Sequence, residues 1–345
     1  MSNRVKKWVY TLGAGLGLPI LLFLGLYVST WGPAPVLATV SEDAQLPRLK
    51  TPDFEVHGEI HGPETAPLVV VLHDGPGSDY RTLLPLKQLA GDYRVLFYDQ
   101  MGAGLSPRVP ESELTIEKSL QRLDTLIATY GGQQPVRLIG HGWGGMLASA
   151  YAGKHPDRVA QLALLEPNFL TAEMAGQVLP ALSRSTLGFI ASTTRRWVQG
   201  LHVKGPDADA REDFIFARVR HQPLFYCDQQ VPENWQDYNW RVGFRAWKAI
   251  TQSTLDERGQ LHLDFTKGLE DYSPHVLLLA GSCNQVTGRA FQARQTRLFK
   301  QASVAQIAKS GHELLMDNPQ ETLSVLQRYF GGTYFSETPP TGEAG

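Results

Sequence analysis

The chain has 345 residues, 42% of them hydrophobic, and its 32 Lys+Arg and 34 Asp+Glu leave a formal net charge of −2. That length suits one large α/β domain with room for an insertion. The balanced charge, with no basic run beyond Lys6-Lys7, excludes a nucleic-acid-binding surface.

The first segment reads as separate from the fold. Arg4, Lys6 and Lys7 precede an uncharged stretch from Trp8 to Trp31, with Trp8, Tyr10, Tyr27 and Trp31 near its ends. A run of about 20 apolar residues spans a bilayer. The positive flank puts the N-terminus in the cytoplasm and the following domain on the periplasmic or extracellular side. Residues 1–31 are therefore expected to be an uncleaved membrane anchor. A cleaved signal peptide, cut after Val36-Leu37-Ala38, is the competing reading, but its apolar core would be only about 7–15 residues. Residues 32–52, proline-bearing and poor in large apolar side chains, read as a linker. Export permits disulfides, and the two cysteines, Cys227 and Cys283, are expected to pair.

Phe54 to His61 alternates and suggests an edge strand. Leu68 to Leu72 is continuously apolar, as in a strand covered on both faces, and stops at His73-Asp74-Gly75-Pro76-Gly77. Asp79 to Ala90 has helical periodicity. Tyr93 to Tyr98 is a second buried strand, followed by Asp99-Gln100-Met101-Gly102-Ala103-Gly104-Leu105-Ser106. Thr115 to Tyr130 places Ile116, Leu120, Leu123 and Ile127 on one helix face. Val136 to Ile139 then leads into Gly140-His141-Gly142-Trp143-Gly144, and a small-residue helix leads out. This strand, sharp turn and helix is the setting of a nucleophile elbow, Gly-x-Ser-x-Gly, but Gly142 stands where the serine is expected.

Val159 to Leu165 forms another strand, ending at Glu166-Pro167. Residues 168–272 lose the alternation and carry Trp197, Trp235, Trp240 and Trp247 on helical fragments, the pattern of an inserted helical cap. Strands resume at His275 to Leu279 and Val304 to Ala308, with a helix near Thr287 to Lys300 between them. The last helix has Asn318 as N-cap, Pro319 at its first position and Glu321 three residues beyond the cap. Residues 332–345 read as a disordered tail. Residues 53–167 and 273–331 together make the core. Alternating strands and helices imply a mostly parallel sheet with helices on both faces. Its functional loops lie at the carboxyl ends of the strands, where His73, Gly142, Glu166, Asn284 and His312 all fall.

These blocks resemble the α/β-hydrolases of the proline iminopeptidase type. The family's His-Gly-Gly-Pro-Gly is similar to His73-Asp74-Gly75-Pro76-Gly77, and its Tyr-Asp-Gln-Arg-Gly-x-Gly-x-Ser to Tyr98 through Ser106. The resemblance implies hydrolysis of small amides or esters, a small-molecule or short-peptide substrate, and no cofactor or metal. It implies His312 as the base and backbone N–H groups of Trp143 and Gly75 as the oxyanion hole. The acid has two positions. Asn284 occupies the usual one and cannot carry charge, so Glu166, one strand after the elbow, is expected to orient His312. Asp74 departs from the family glycine and is expected to face solvent or cap its loop. His73 and His141 are expected to be structural. In the cap, Trp240-Arg241 replaces the family's Trp-Glu pair, leaving Glu233 and Asp237 as candidates for holding a substrate amino group.

Removing the serine from such a triad costs roughly 10⁶ in turnover. Three functions stay open on the residues alone: a hydrolase impaired at its elbow, a non-hydrolytic binding protein, and a non-covalent enzyme in which His312 polarises a water in the vacated space. For the first segment, intact mass of the mature protein is the deciding measurement. A retained N-terminus is expected, and a start at Thr39 would mean a cleaved signal peptide.

Overall fold

A computed structural model of the protein describes residues 17–182, 187–227 and 230–333. The first part of the expected anchor and the expected tail beyond residue 333 lie outside these. Eight strands form one sheet in the order β1-β2-β4-β3-β5-β6-β7-β8. β1 (Arg48–Lys50) and β2 (Glu55–His61) are antiparallel, with β2 running against β4 (Arg94–Tyr98). From β4 onward, β3 (Leu68–Leu72), β5 (Val136–His141), β6 (Val159–Leu165), β7 (Val276–Gly281) and β8 (Ala302–Ile307) pair in parallel. β2 is therefore not the edge expected from its alternation. The end of the expected linker pairs outside it, Leu49 against Val56.

Two apolar layers sandwich the sheet, and β3 shows why a continuous apolar run is needed. Val70 and Leu72 join one layer with Leu123 and Leu126 of α2 (Ile116–Gly131) and Met146 and Leu147 of α3 (Trp143–Lys154). Val69 and Val71 join the other with Leu83 and Leu86, and with Leu323 and Leu326 of the C-terminal helix. Successive strand residues point to opposite faces, so both sets must be apolar. The Asp79 to Ala90 stretch forms a 3₁₀ helix, Arg81–Gly91, with Pro85 inside it. Proline removes a donor and clashes with a regular α-helical turn.

An N-terminal helix, α1, occupies residues 17–29, and Tyr27 and Trp31 pack their rings on His202, 4.2 and 5.4 Å between centroids. Among the described residues no helix is long and apolar enough to cross a membrane. Between β6 and β7 the chain runs through α4 (Ala172–Leu182), α5 (Leu187–Gly200), α6 (Ala210–Arg220) and α7 (Phe244–Ser253). α8 (Arg289–Gln295), α9 (Leu314–Asp317) and α10 (Pro319–Phe330) complete the order. The expected cap on α10 is present, with the Asn318 side chain accepting from Glu321 N–H and donating to Glu321 Oε2 at 2.8 Å.

Buried ion pairs fasten the helical insertion. Arg241 donates to Asp207 and, through Nε, to Asp213 at 2.8 Å, while Arg108 from the core donates to the same Asp213 oxygen at 2.8 Å. Cys227 and Cys283 form a disulfide with a sequence separation of 56, so the expected bridge joins the insertion to the loop after β7. A cross-link over such a loop stabilises by about 2–4 kcal/mol. Cys227→Ser with Cys283→Ser should lower unfolding free energy in urea by that order. Thiol titration of the denatured, unreduced protein should find no free thiol.

Candidate active site

The site lies where β3, β5, β6 and β7 end. Gly142 follows β5 and N-caps α3 at φ 51°, the left-handed region that favours glycine. The next residue, Trp143, thus opens the helix with its N–H free of intrahelical bonding. Its acceptor is Asp74 Oδ1, at 2.8 Å. A Cβ built on Gly142 would overlap that same oxygen. The space vacated by a serine side chain is therefore filled by a carboxylate reaching in from the loop after β3.

This overturns the expectation for Asp74 and removes the room for a water beside Gly142. Asp74 does not face solvent; its side chain is 8% exposed. Its loop is set by His73. Gln100 N–H donates to His73 Nε2 at 2.9 Å, so the ring's proton is on Nδ1, which donates to the Asp74 carbonyl at 2.6 Å. Gln100 also accepts from the Trp143 indole at 3.0 Å, tying the Asp74 loop to the elbow.

The second carboxylate oxygen, Oδ2, accepts from Arg220 Nη2 at 2.7 Å and lies 3.4 Å from His312 Nε2. Arg220, at the end of α6, also donates to Ser78 Oγ at 2.8 Å. Burial alone would raise the Asp74 pKa, but the Arg220 charge and then His312 outweigh it and hold the carboxyl well below the usual range. Burial would likewise lower His312, but the hydrogen bond and charge of Asp74 raise it to about 9. At neutral pH the floor of the site thus carries one anion between two cations.

His312 sits where the sequence puts it, after β8, with its N–H donating to the Phe225 carbonyl at 2.8 Å. Its expected orienter does not reach it. Glu166, at φ 45°, accepts from Gly281 N–H, Asn284 Nδ2 and Thr287 Oγ1. Among the described residues His312 Nδ1 has no hydrogen-bond partner. Burial pushes the Glu166 carboxyl up to about 8, so at neutral pH it is largely protonated. The two alternative acid positions, Glu166 and Asn284, are bonded to each other at 2.9 Å, and Glu166 acts on His312 through charge alone, without a hydrogen bond among the described residues. The partner of His312 is Asp74, on the opposite nitrogen. His141 donates through Nε2 to the His312 carbonyl at 2.9 Å. Its Nδ1 then faces Glu313, and His141, His312 and Glu313 offer ligand atoms within 4.8 Å of one another, the one such group among the described residues.

Above this floor lies a cavity of about 420 Å³. Trp143 and Gly75, the two expected oxyanion donors, both line it, and its walls are mainly apolar, including Met146, Phe169, Phe216, Trp247 and Leu263. Asp74 is the one acid on its lining. The residues expected to hold a substrate amino group are elsewhere. Arg241 is locked between Asp207 and Asp213, Asp237 lies 3.5 Å from Arg81, and Glu233 is exposed. A second void of about 10 Å³ lies beside the first, and Asp74, Arg220, Phe225 and His312 line both.

Sequence reasoning missed Asp74 and Arg220. For Asp74 a signal existed: a glycine lost after His73 and a side chain lost at Gly142 are complementary changes. Arg220 carries no motif.

Residues 67–200 match the family model of the alpha/beta hydrolase fold. The proline iminopeptidase of Saccharolobus solfataricus is 42% identical over 89 residues, 25% of this chain and 29% of that protein. The chain thus spans under a third of that relative's length. A cis-3-alkyl-4-alkyloxetan-2-one decarboxylase of Shewanella oneidensis is 26% identical over 273 residues, 77% of this chain and 82% of that protein. The crystal structure of a proline iminopeptidase-related protein from Thermus thermophilus superposes with a TM-score of 0.61 at 19% identity, covering 84% of this chain and 98% of the other.

The Asp74–His312 pair should leave a mark on stability. Between the ordinary histidine pKa and about 9, the folded state holds a His312 proton that the unfolded chain lacks. Stability should therefore be full below about pH 6.5 and fall as pH rises through 9. The loss should be on the order of 1–3 kcal/mol. Glu166 adds a fall of the same sign that ends near pH 8. Buried tyrosines such as Tyr80 and Tyr98, whose pKa burial raises, add a loss of the same sign near pH 10, so in urea unfolding at pH 8 and 10 the His312 share is the part of the fall that His312→Gln removes.

Proposed function

The chain is an α/β-hydrolase-fold protein of the proline iminopeptidase-like branch, and we propose that it is a hydrolase working through Asp74 and His312 in place of a serine. The observation that carries this reading is the Asp74 carboxylate lying in the space of the elbow side chain. Acyl transfer by a serine needs an attacking oxygen at Gly142 and an empty N–H donor at Trp143 for the oxyanion. Here the first is missing and the second is occupied by a carboxylate.

The substrate we propose is a small ester or lactone with apolar substituents. The apolar cavity favours hydrocarbon, and a lining without a free acid offers nothing to hold an amino terminus. The Shewanella relative is by name a decarboxylase of a dialkylated oxetan-2-one, a strained lactone. We further propose that the domain lies outside the cytoplasm, held to a membrane by its N-terminal segment. Support comes from the disulfide, and from the exposed Leu18, Leu21, Leu22 and Val28 on α1.

The reading is tested by reversing the two departures separately and together. Gly142→Ser alone should stay inert toward activated esters and phosphonates. It should also be destabilised by about 1–3 kcal/mol from the left-handed backbone, with the overlap on Asp74 adding to that. Asp74→Gly with Gly142→Ser clears the overlap and frees Trp143 N–H. That double variant should gain ester hydrolysis and phosphonate sensitivity. Robust serine-type activity in Gly142→Ser alone would mean that Asp74 does not occupy the nucleophile's place.

A further inference from the structure

We propose that His141, His312 and Glu313 form a binding site for a divalent transition metal of the zinc class, held by two imidazole nitrogens and one carboxylate, with water as fourth ligand. This goes beyond the hydrolase reading above and does not depend on it.

Two ring nitrogens at this place, Nδ1 of His141 and Nδ1 of His312, have no hydrogen-bond partner among the described residues. Both rings are almost wholly buried, their side chains 2% and 3% exposed. A buried polar atom is ordinarily paired, and one left over calls for an ion or a water. These two residues and Glu313 each offer a ligand atom within 4.8 Å of the others.

The opposite nitrogen of each ring is already engaged as a metal-bound histidine requires. Such a histidine turns a lone pair to the metal and donates its other ring N–H to a carboxylate or backbone carbonyl, which fixes its tautomer. His141 Nε2 donates to the His312 carbonyl at 2.9 Å. His312 Nε2 faces Asp74 Oδ2 at 3.4 Å. With those protons on Nε2, the lone pair of each neutral ring stands on Nδ1. Binding displaces the second proton of the His312 ring, as metals do at protonated ligands. The first of these bonds also ties one ligand to the backbone of the other. His141, at the end of β5, and His312, after β8, are thereby held together, with ring centroids 4.6 Å apart.

Glu313 supplies the anion. Its Oε2 lies 4.0 Å from His141 Nδ1. Zinc keeps nitrogen and oxygen ligands at about 2.0–2.2 Å in a tetrahedron, which sets neighbouring ligand atoms roughly 3.5 Å apart. The remaining gap of about half an ångström closes by turning a side chain that is only partly buried. The donor set selects the metal. Two imidazoles and one carboxylate suit zinc and its transition-metal neighbours, whereas magnesium and calcium take oxygen ligands. Three protein ligands leave a fourth position for water. His312 and Glu313 both line the polar void of about 10 Å³, which is about the size of one water. Occupancy also acts on the floor of the site. A ring bound at Nδ1 and protonated at Nε2 has no lone pair left, so bound metal keeps His312 a neutral donor to Asp74, and metal binding and proton uptake by His312 exclude each other.

Calorimetric titration of the chelator-stripped full chain with Zn²⁺ should show a single site, and Co²⁺ in its place should give the intense visible absorption of a four-coordinate ion. Mg²⁺ should not bind. His141→Gln and Glu313→Gln should each weaken Zn²⁺ binding by at least about 10-fold. Glu313→Gln keeps the size of a partly exposed side chain, so it decides alone if His141→Gln does not fold. Anomalous scattering at the zinc edge should place the ion among the three side chains. Absence of Zn²⁺ binding, full-strength binding in Glu313→Gln, Mg²⁺ binding as tight as that of Zn²⁺, or an ion located elsewhere would each overturn the proposal.

Discussion

One carboxylate organises the centre of this protein. Asp74 is buried, charged, and held by a backbone N–H, a guanidinium and an imidazole contributed by three separate parts of the chain. Burying an ion costs several kcal/mol unless it is paired and hydrogen-bonded. Each partner is therefore fixed by its neighbours. The start of α3 aims Trp143 N–H, the end of α6 delivers Arg220, and the turn after β8 delivers His312. The insertion is bound to the core through this ion as well as through Arg241, Arg108 and Asp213.

The fold was legible because its signals are repeated and local. Strands such as β3, β4 and β7 are short apolar runs, and α2 and α10 show the helical period of the faces they bury. Where local reading failed, it failed through pairing across distance. Nothing in Arg48 to Lys50 announces that it covers β2, and Pro85 hid a 3₁₀ helix inside a helical pattern.

The site was legible in part. His312, Trp143, Gly75 and Gly142 all meet at one place, as their positions after strands and glycines suggest. Glu166 and Asn284 also meet, but with each other. A carboxylate at the end of a strand is equally suited to satisfying the backbone of the next strand, and Glu166 does so at Gly281 N–H. Asp74 was misread because an aspartate in a glycine-rich loop is ordinarily a solvated turn residue. Only the missing side chain at Gly142, read jointly with it, indicates that it turns inward.

The overlap between Asp74 and a side chain at position 142 also constrains the history of the site. A descendant that first regained a hydroxyl at position 142 would carry two groups in one volume. One that first lost the carboxylate would open the volume before a side chain fills it. The two positions can therefore change in one order only, the carboxylate leaving before the hydroxyl enters, an order set by the single volume they share.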